Sequence, residues 1–139
     1  KLNEAFFENG SGLSVRTKLM PWQIAKFLEQ TKFTSYNAKS FMSILSLAGH
    51  SGFLAKKFLS DRTFQTFFAK TGSLDYVNGL CGVSTDQYMR SFCIFINHFE
   101  KREKLNGKNS EELNKLREQA KGWKRTTDQV LERVLEIII

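Results

Sequence analysis

The sequence Thr66-Phe67-Phe68-Ala69-Lys70-Thr71-Gly72-Ser73 opens the part of the chain that decides its fold. It begins a region rich in aromatic and β-branched residues, which continues over Val77 to Val83 and Met89 to Phe99. Such residues favour strands, and turn-forming residues 84–87 separate the last two stretches. The pattern predicts three successive antiparallel strands. Because the apolar run over residues 90–97 is nearly continuous, we expect the third strand to be central.

Helices are predicted before the strands. Pro21 suits a first helical turn, because its missing N–H needs no partner there, and apolar residues then recur at helical spacing. This pattern predicts a helix over about residues 21–31. Two further apolar stretches predict a second helix ending at Gly49 and a short third helix over residues 52–58. The segment 15–60 is therefore expected to be helical.

A last helix is predicted after the strands. Residues 106–109 are a polar linker, and Ser110 before two acidic residues is a favourable helix N-cap. Apolar residues at helical spacing then predict an amphipathic helix over residues 111–139. Helices, a strand meander over residues 64–99 and a closing helix indicate an α+β fold in a single domain, 1–139.

The composition limits what the chain can be. With 139 residues, 41% of them hydrophobic, it has enough apolar material for the core of one small domain. No apolar run reaches the roughly 18 residues that a membrane span needs. The net charge of +7 is compatible with an anionic partner, but acidic residues lie among the basic clusters at 101–104 and 121–125. We therefore expect a solvated helix and linker there, and no nucleic acid partner.

Cys81 and Cys93 lie in the second and third predicted strands. Two cysteines are too few for a disulfide-stapled domain, and they lack the spacing of a metal site. The hairpin register could set them opposite each other, or they could be two buried free thiols, which we favour. No metal and no cofactor are predicted.

Lys70, Thr71, Gly72 and Ser73 place a cation beside hydroxyl groups at the end of a strand. Lys70 can supply positive charge, and Thr71 and Ser73 can donate hydrogen bonds, as binding of a substrate carboxylate requires. Gly72 leaves room for a ligand backbone, and strand amides near Ser73 could contribute to an oxyanion hole. A strand end with a glycine bulge would contain the same triplet, so the triplet alone does not decide the function.

Several blocks of sequence, taken in order, resemble a known family. They are Asn9-Gly10-Ser11-Gly12-Leu13-Ser14, Leu19-Met20-Pro21, and residues 47–54, 69–82 and 92–97. In order and spacing they resemble the last third of class C low-molecular-mass penicillin-binding proteins, the D-alanyl-D-alanine carboxypeptidases and endopeptidases of peptidoglycan turnover. The resemblance covers residues 8–98, and the final helix matches only through Asp128 and Leu131.

The resemblance implies part of the penicillin-binding protein and serine β-lactamase-like transpeptidase fold, an antiparallel sheet flanked by helices. It implies a serine-type hydrolase of peptidoglycan stem peptides, which also binds β-lactams, in the periplasm or elsewhere outside the cytoplasm. It further implies a substrate-binding strand formed by Lys70, Thr71, Gly72, Ser73 and Leu74. It also implies a loop near the site that contains Ser11, Gly12 and Ser14.

Such enzymes use the motifs Ser-x-x-Lys, Ser-x-Asn and Lys-Thr-Gly. No Ser of this sequence has a Lys three residues later. Ser35-Tyr36-Asn37 fits Ser-x-Asn formally, but it follows the Gly10–Ser14 block, whereas the family has this motif before it, and we interpret it as coincidence. We therefore expect the nucleophile upstream, no catalytic residue in this chain, and no activity of the fragment alone.

Two functions from different classes stay open. The first is the carboxypeptidase or endopeptidase, with the upstream part of the same protein as a partner. The second is a non-catalytic basic module that contacts nucleic acid or a cell-wall polymer, since the absence of Ser-x-x-Lys fits both. Because the resemblance places other strands and helices upstream, we expect an exposed apolar face, open to self-association.

Overall fold

The chain forms three helices and six strands within the residues that the computed structural model describes, 5–12, 14, 16–105 and 110–139. Their bounds, in chain order, are α1 (Pro21–Thr31), β1 (Ser35–Tyr36), β2 (Lys39–Ser40), β3 (Ser46–Leu47), β4 (Phe67–Leu74), β5 (Val77–Ser84), β6 (Ser91–Asn97), α2 (Phe99–Glu103) and α3 (Ser110–Ile138).

A four-stranded antiparallel sheet in the order β3-β4-β5-β6 organises the fold. β4 and β5 pair over their whole length, from Phe67 opposite Ser84 to Leu74 opposite Val77. The two residues between them form a tight turn in which Tyr76 has the left-handed φ of 58°. Tyr76 is buried, and its hydroxyl donates a 3.2 Å hydrogen bond to a carbonyl of α3. The three antiparallel strands predicted from the sequence are confirmed.

The two faces of the sheet are covered by different helices. On one face Phe67, Ala69 and Leu80 pack in a buried cluster with Leu131 and Leu135, which are one turn apart on α3. The other face receives α1, which contacts β5 and β6. Glu29 of α1 accepts a 2.8 Å hydrogen bond from the Ser91 hydroxyl on that second face.

The segment between α1 and β4 differs from its prediction. Helix α1 is confirmed at residues 21–31, but the second and third predicted helices are wrong, and so is a fully helical segment 15–60. Phe41–Ile44 and Gly52–Leu54 form single 3-10 turns, and Ser46–Leu47 is a strand. The first turn ends where Leu45 takes an extended conformation. Gly49 and Gly52 have positive φ values of 67° and 54°, which lie outside the right-handed helical region and interrupt any helix through residues 49–52.

The position of β6 also differs from its prediction. β5 is the central strand, with six of its eight residues buried, whereas β6 is mostly half-buried and ends the sheet within the described residues. A continuous apolar run shows that both faces of a strand are covered, but it does not show that both edges are paired.

The closing helix is confirmed at residues 110–138. The linker predicted at residues 106–109 lies outside the described residues. The assignment of the chain to a single domain stays a prediction.

Close packing between β4 and β5 depends on Gly82. A Cβ atom added there would lie 2.2 Å from the Phe68 carbonyl oxygen and 2.7 Å from the Ala69 Cβ. Gly72 on the neighbouring strand is the matched control, because nothing lies within 4 Å of an added Cβ. We expect Gly82→Ala to lower the free energy of unfolding by about 1–3 kcal/mol and Gly72→Ala to change it by less than about 0.5 kcal/mol. Equal urea midpoints for the two variants would contradict the packing described.

Candidate substrate-binding site

Residues Lys70 to Leu74 lie at an open edge of the sheet. On the outer side of β4, β3 pairs only with Ala69 and Phe68. On the inner side, β5 continues to pair as far as Leu74. Beyond Ala69, therefore, no described strand covers the outer edge of β4.

The pairing determines which backbone groups point to this open edge. The Ala48 N–H donates a 3.0 Å hydrogen bond to the Phe67 carbonyl, so the polar groups of Phe67 point outward. In an antiparallel ladder a residue points both its N–H and its C=O to one side, and the side alternates along the strand. Thr71 and Ser73 therefore present their N–H and C=O groups outward. An extended peptide can pair with such an edge as an additional strand.

The side chains of the Lys-Thr-Gly-Ser segment divide between the faces of the sheet. Lys70 and Gly72 lie on the α1 face, and Thr71 and Ser73 on the α3 face, because successive residues alternate. The Lys70 Nζ donates a 2.5 Å hydrogen bond to the Thr71 carbonyl, which brings the ammonium group to the open edge. It also lies 6.0 Å from the centroid of the exposed Phe53 ring. The cation and the two hydroxyls are thus on opposite sides of one edge, where a ligand at the edge can contact both.

The predicted loop near the site is held by its own polar contacts. Asn9 Oδ1 accepts hydrogen bonds from the Ser11 N–H and hydroxyl, at 3.0 and 2.7 Å. The Ser14 hydroxyl donates to Glu8, which also forms an ion pair with Arg16. Gly12 has a φ of 72°, which favours glycine. These contacts stay within the segment, so its placement beside Lys70 remains a prediction; Leu13 of the same block lies outside the described residues.

A polar network behind the sheet escaped the sequence analysis. Asn78, buried on β5 directly opposite Ser73, donates hydrogen bonds to the Thr127 hydroxyl at 3.0 Å and to Asp128 at 2.8 Å. Asp128 also accepts a 2.7 Å hydrogen bond from Lys57, and Lys124 lies 3.2 Å away. An amide side chain within an apolar strand was the available signal. The network joins α3 to the strand that pairs with the candidate site.

The charge of Asp128 is stabilised within this network. Burial opposes ionisation of the carboxyl group, but hydrogen bonds from Lys57 and Asn78 and the charge of Lys124 outweigh it, so that the pKa of Asp128 lies below its ordinary value. Two other basic residues of α3 also have acidic partners. Lys121 contacts Glu118 at 2.5 Å, and Arg117 approaches Asp75 at 3.7 Å.

The described residues contain no group of three His, Cys, Asp or Glu side chains that could hold a metal ion. Within the same part of the chain, none of the helices is both long and apolar enough to cross a membrane.

A model of the D-Ala-D-Ala carboxypeptidase 3 (S13) family matches residues 1–119. The chain belongs to this family. The recognition made from the dispersed sequence blocks is thereby confirmed. Comparison with curated proteins gives no significant match.

Two solved structures of penicillin binding protein 4 from Haemophilus influenzae are similar to the chain, one of them in complex with a β-lactam. Each superposes with a TM-score of 0.58 at 24% sequence identity over 70% of this chain. This likeness confirms the α+β fold of penicillin-binding proteins. The S13 chain described here spans 23% and 22% of those two chains, less than a quarter of their length.

Asp128 should make the stability of this S13 chain dependent on pH. Its folded-state pKa is lowered from 3.8, so its stabilising contribution is complete at neutral pH and is lost as the pH falls through the folded-state value. We expect Asp128→Asn to reduce the free energy of unfolding at pH 7 by about 1–2 kcal/mol, a value discounted for partial exposure, and we expect the difference to shrink as the pH falls below 3.8.

Glu118→Gln is the control for this experiment, because it alters an exposed ion pair on the same helix and should cost less than about 0.5 kcal/mol. Urea unfolding at a series of pH values compares the two variants with the unmodified chain. A wild-type advantage over Asp128→Asn that stays undiminished down to the lowest pH at which the chain folds would show that the carboxylate charge is not responsible.

Proposed function

We propose that this S13 chain supplies the substrate-binding strand of a serine-type D-Ala-D-Ala carboxypeptidase or endopeptidase. In this proposal the nucleophile and its proton-transfer partners are in the upstream part of the same protein, and this chain alone is inactive. The single observation that carries the proposal is the open edge of β4, where Lys70 lies beside outward-pointing backbone groups of Thr71 and Ser73.

Substrate binding would use this edge as a template. An extended stem peptide pairs with the outward N–H and C=O groups of Thr71 and Ser73, and its terminal carboxylate accepts hydrogen bonds from Lys70 and the Thr71 hydroxyl. In the unliganded chain the Lys70 ammonium group is occupied by the Thr71 carbonyl, so a carboxylate replaces a neutral acceptor with a charged one. The substrate therefore gains the stronger interaction.

The remaining residues of the segment leave room for the ligand. Nothing lies within 4 Å of a Cβ atom added to Gly72, which is consistent with space for a second backbone beside β4. The Ser73 N–H, on the same edge, would donate to a carbonyl oxygen as negative charge develops on it. Leu74, half-buried at the end of the strand, would limit the site on the side of the turn.

The upstream part of the protein would complete the site and cover apolar surface. Trp22 and Phe27 of α1 are 52% and 46% exposed, and Phe53 beside Lys70 is 82% exposed. Exposed aromatic residues of this size are typical of contact surfaces. In the isolated chain they would favour self-association. We further propose a periplasmic or other extracytoplasmic location, with peptidoglycan stem peptides and β-lactams as ligands.

Labelling with a fluorescent penicillin tests the proposed function. The full-length protein should acylate stoichiometrically, and the label should be blocked by prior treatment with an unlabelled β-lactam. Absence of label on a protein that unfolds cooperatively would exclude the enzyme and leave the binding module as the function.

The role of Lys70 is tested in the same full-length protein. Loss of a hydrogen bond to a charged group costs about 1.5–3 kcal/mol, so we expect Lys70→Ala to slow acylation by about 10- to 150-fold. Lys121→Ala removes an exposed lysine of α3 and serves as the control, with an expected change below about twofold. Equal rates for the two variants, measured by stopped-flow acylation, would remove Lys70 from the binding site.

A further inference from the structure

Cys81 and Cys93 are directly opposite each other on β5 and β6. Both are free thiols, as favoured from the sequence, but they are half-buried rather than buried, and the register also sets them opposite each other. The Cys93 thiol lies within hydrogen-bonding reach of Cys81, and this contact, together with burial, raises the pKa of Cys93. The two sulfur atoms are therefore neighbours on the α1 face of the sheet.

The type of strand pair at this position can be worked out from the ends of the ladder. At one end the Ser84 N–H donates to the Arg90 carbonyl at 2.9 Å, and at the other the His98 N–H donates to the Tyr76 carbonyl at 3.0 Å. Hydrogen-bonded and non-hydrogen-bonded pairs alternate along antiparallel strands, and both ends place Cys81 and Cys93 in a non-hydrogen-bonded pair.

A directly opposite pair of either type brings its Cα atoms close enough for a disulfide. The Cα atoms of a non-hydrogen-bonded pair are about 4.5 Å apart, and those of a hydrogen-bonded pair about 5.5 Å. A disulfide joins Cα atoms that are about 4.4–6.8 Å apart, so the pair can close without movement of the strands. A diagonal pair, at about 7–8 Å, lies beyond this range.

We propose that Cys81 and Cys93 form a redox-responsive dithiol that closes into a cross-strand disulfide between β5 and β6. The oxidant is a small-molecule or protein disulfide. The Cys81 thiolate attacks one sulfur of this oxidant and releases one thiolate, and the Cys93 thiolate then attacks the Cys81 sulfur and releases the second. The protein gives up two electrons and two protons, and the oxidant leaves as two thiols.

The bond would connect the central strand to its neighbour immediately behind the proposed binding edge, because Cys81 also pairs with Lys70 on β4. Cys81 thus forms a hydrogen-bonded backbone pair with Lys70 on one side and lies opposite the Cys93 thiol on the other. Closure would hold β6 in register at the edge of the sheet that has no further described strand. This inference does not depend on the proposed function, since it needs only the fold and an oxidant.

The test uses the purified chain, shown by cooperative thermal unfolding to be folded, in buffers that contain oxidised and reduced glutathione at graded ratios. Alkylation and intact mass measurement report the thiols. We expect one species lighter by two hydrogen atoms, with a linked peptide pair that contains Cys81 and Cys93. Half of the folded chain should be oxidised at a concentration of oxidised glutathione about tenfold lower than the concentration needed in guanidinium chloride, because the native register favours closure.

Two variants make the result specific. Cys93→Ser should accept only a mixed disulfide with glutathione. Cys93→Ser combined with Ser91→Cys moves the second thiol two residues along the same face, where its partner is diagonal, and it should not close. The proposal would be overturned if the unmodified folded chain gave only glutathione adducts. It would also be overturned if the shifted pair closed as readily as the original pair.

Discussion

The pairing of β5 with both of its neighbours is the constraint on which the rest of the structure depends. β5 uses its two edges for β4 and β6, so the face that each residue of the sheet presents follows from this one register. A slip by one residue would turn every side chain of a strand to the opposite face. Lys70 would then point into the space now filled by Ala69, beside Leu80 and Leu135. Burial of an unpaired ammonium group there makes the slip very unfavourable.

Contacts with α3 stabilise this register from outside the sheet. The turn between β4 and β5 is held by Tyr76, which has a left-handed backbone conformation. This conformation is tolerated because the Tyr76 ring is buried, with its centroid 5.8 Å from that of the Trp123 ring. Asn78 pairs with Ser73 of the proposed site and is held by Asp128 and Thr127. Hydrogen bonds to a charged group contribute about 1.5–3 kcal/mol, whereas exposed ion pairs contribute about 0–1 kcal/mol. The buried amide is therefore more important for the register than the surface pairs of α3.

Local sequence was sufficient for the long elements and insufficient for the short ones. The strands of residues 67–84 and the helix at Pro21 were predictable because the spacing of their apolar residues is a local property. Strand β3 has two residues, and nothing local distinguishes it from a turn. Yet β3 decides where the open edge begins, because its pairing stops at Ala69. The sequence analysis could therefore find Lys70 and Thr71 as candidates, but the division of their side chains between two faces depends on tertiary pairing.

An open strand edge is useful only if it binds the correct partner. Unpaired edges promote pairing with other chains, and natural sheets limit this with short open stretches and with charged residues, especially lysine. The open part of β4 begins after Ala69 and ends at a tight turn, and Lys70 stands at its start. A neutral strand that paired with the Thr71 carbonyl would displace the exposed Lys70 ammonium group and would offer it no charged acceptor. A strand that ends in a carboxylate would supply that acceptor. In the proposed function, the same lysine would disfavour general strand addition and would favour a peptide with a free carboxyl terminus.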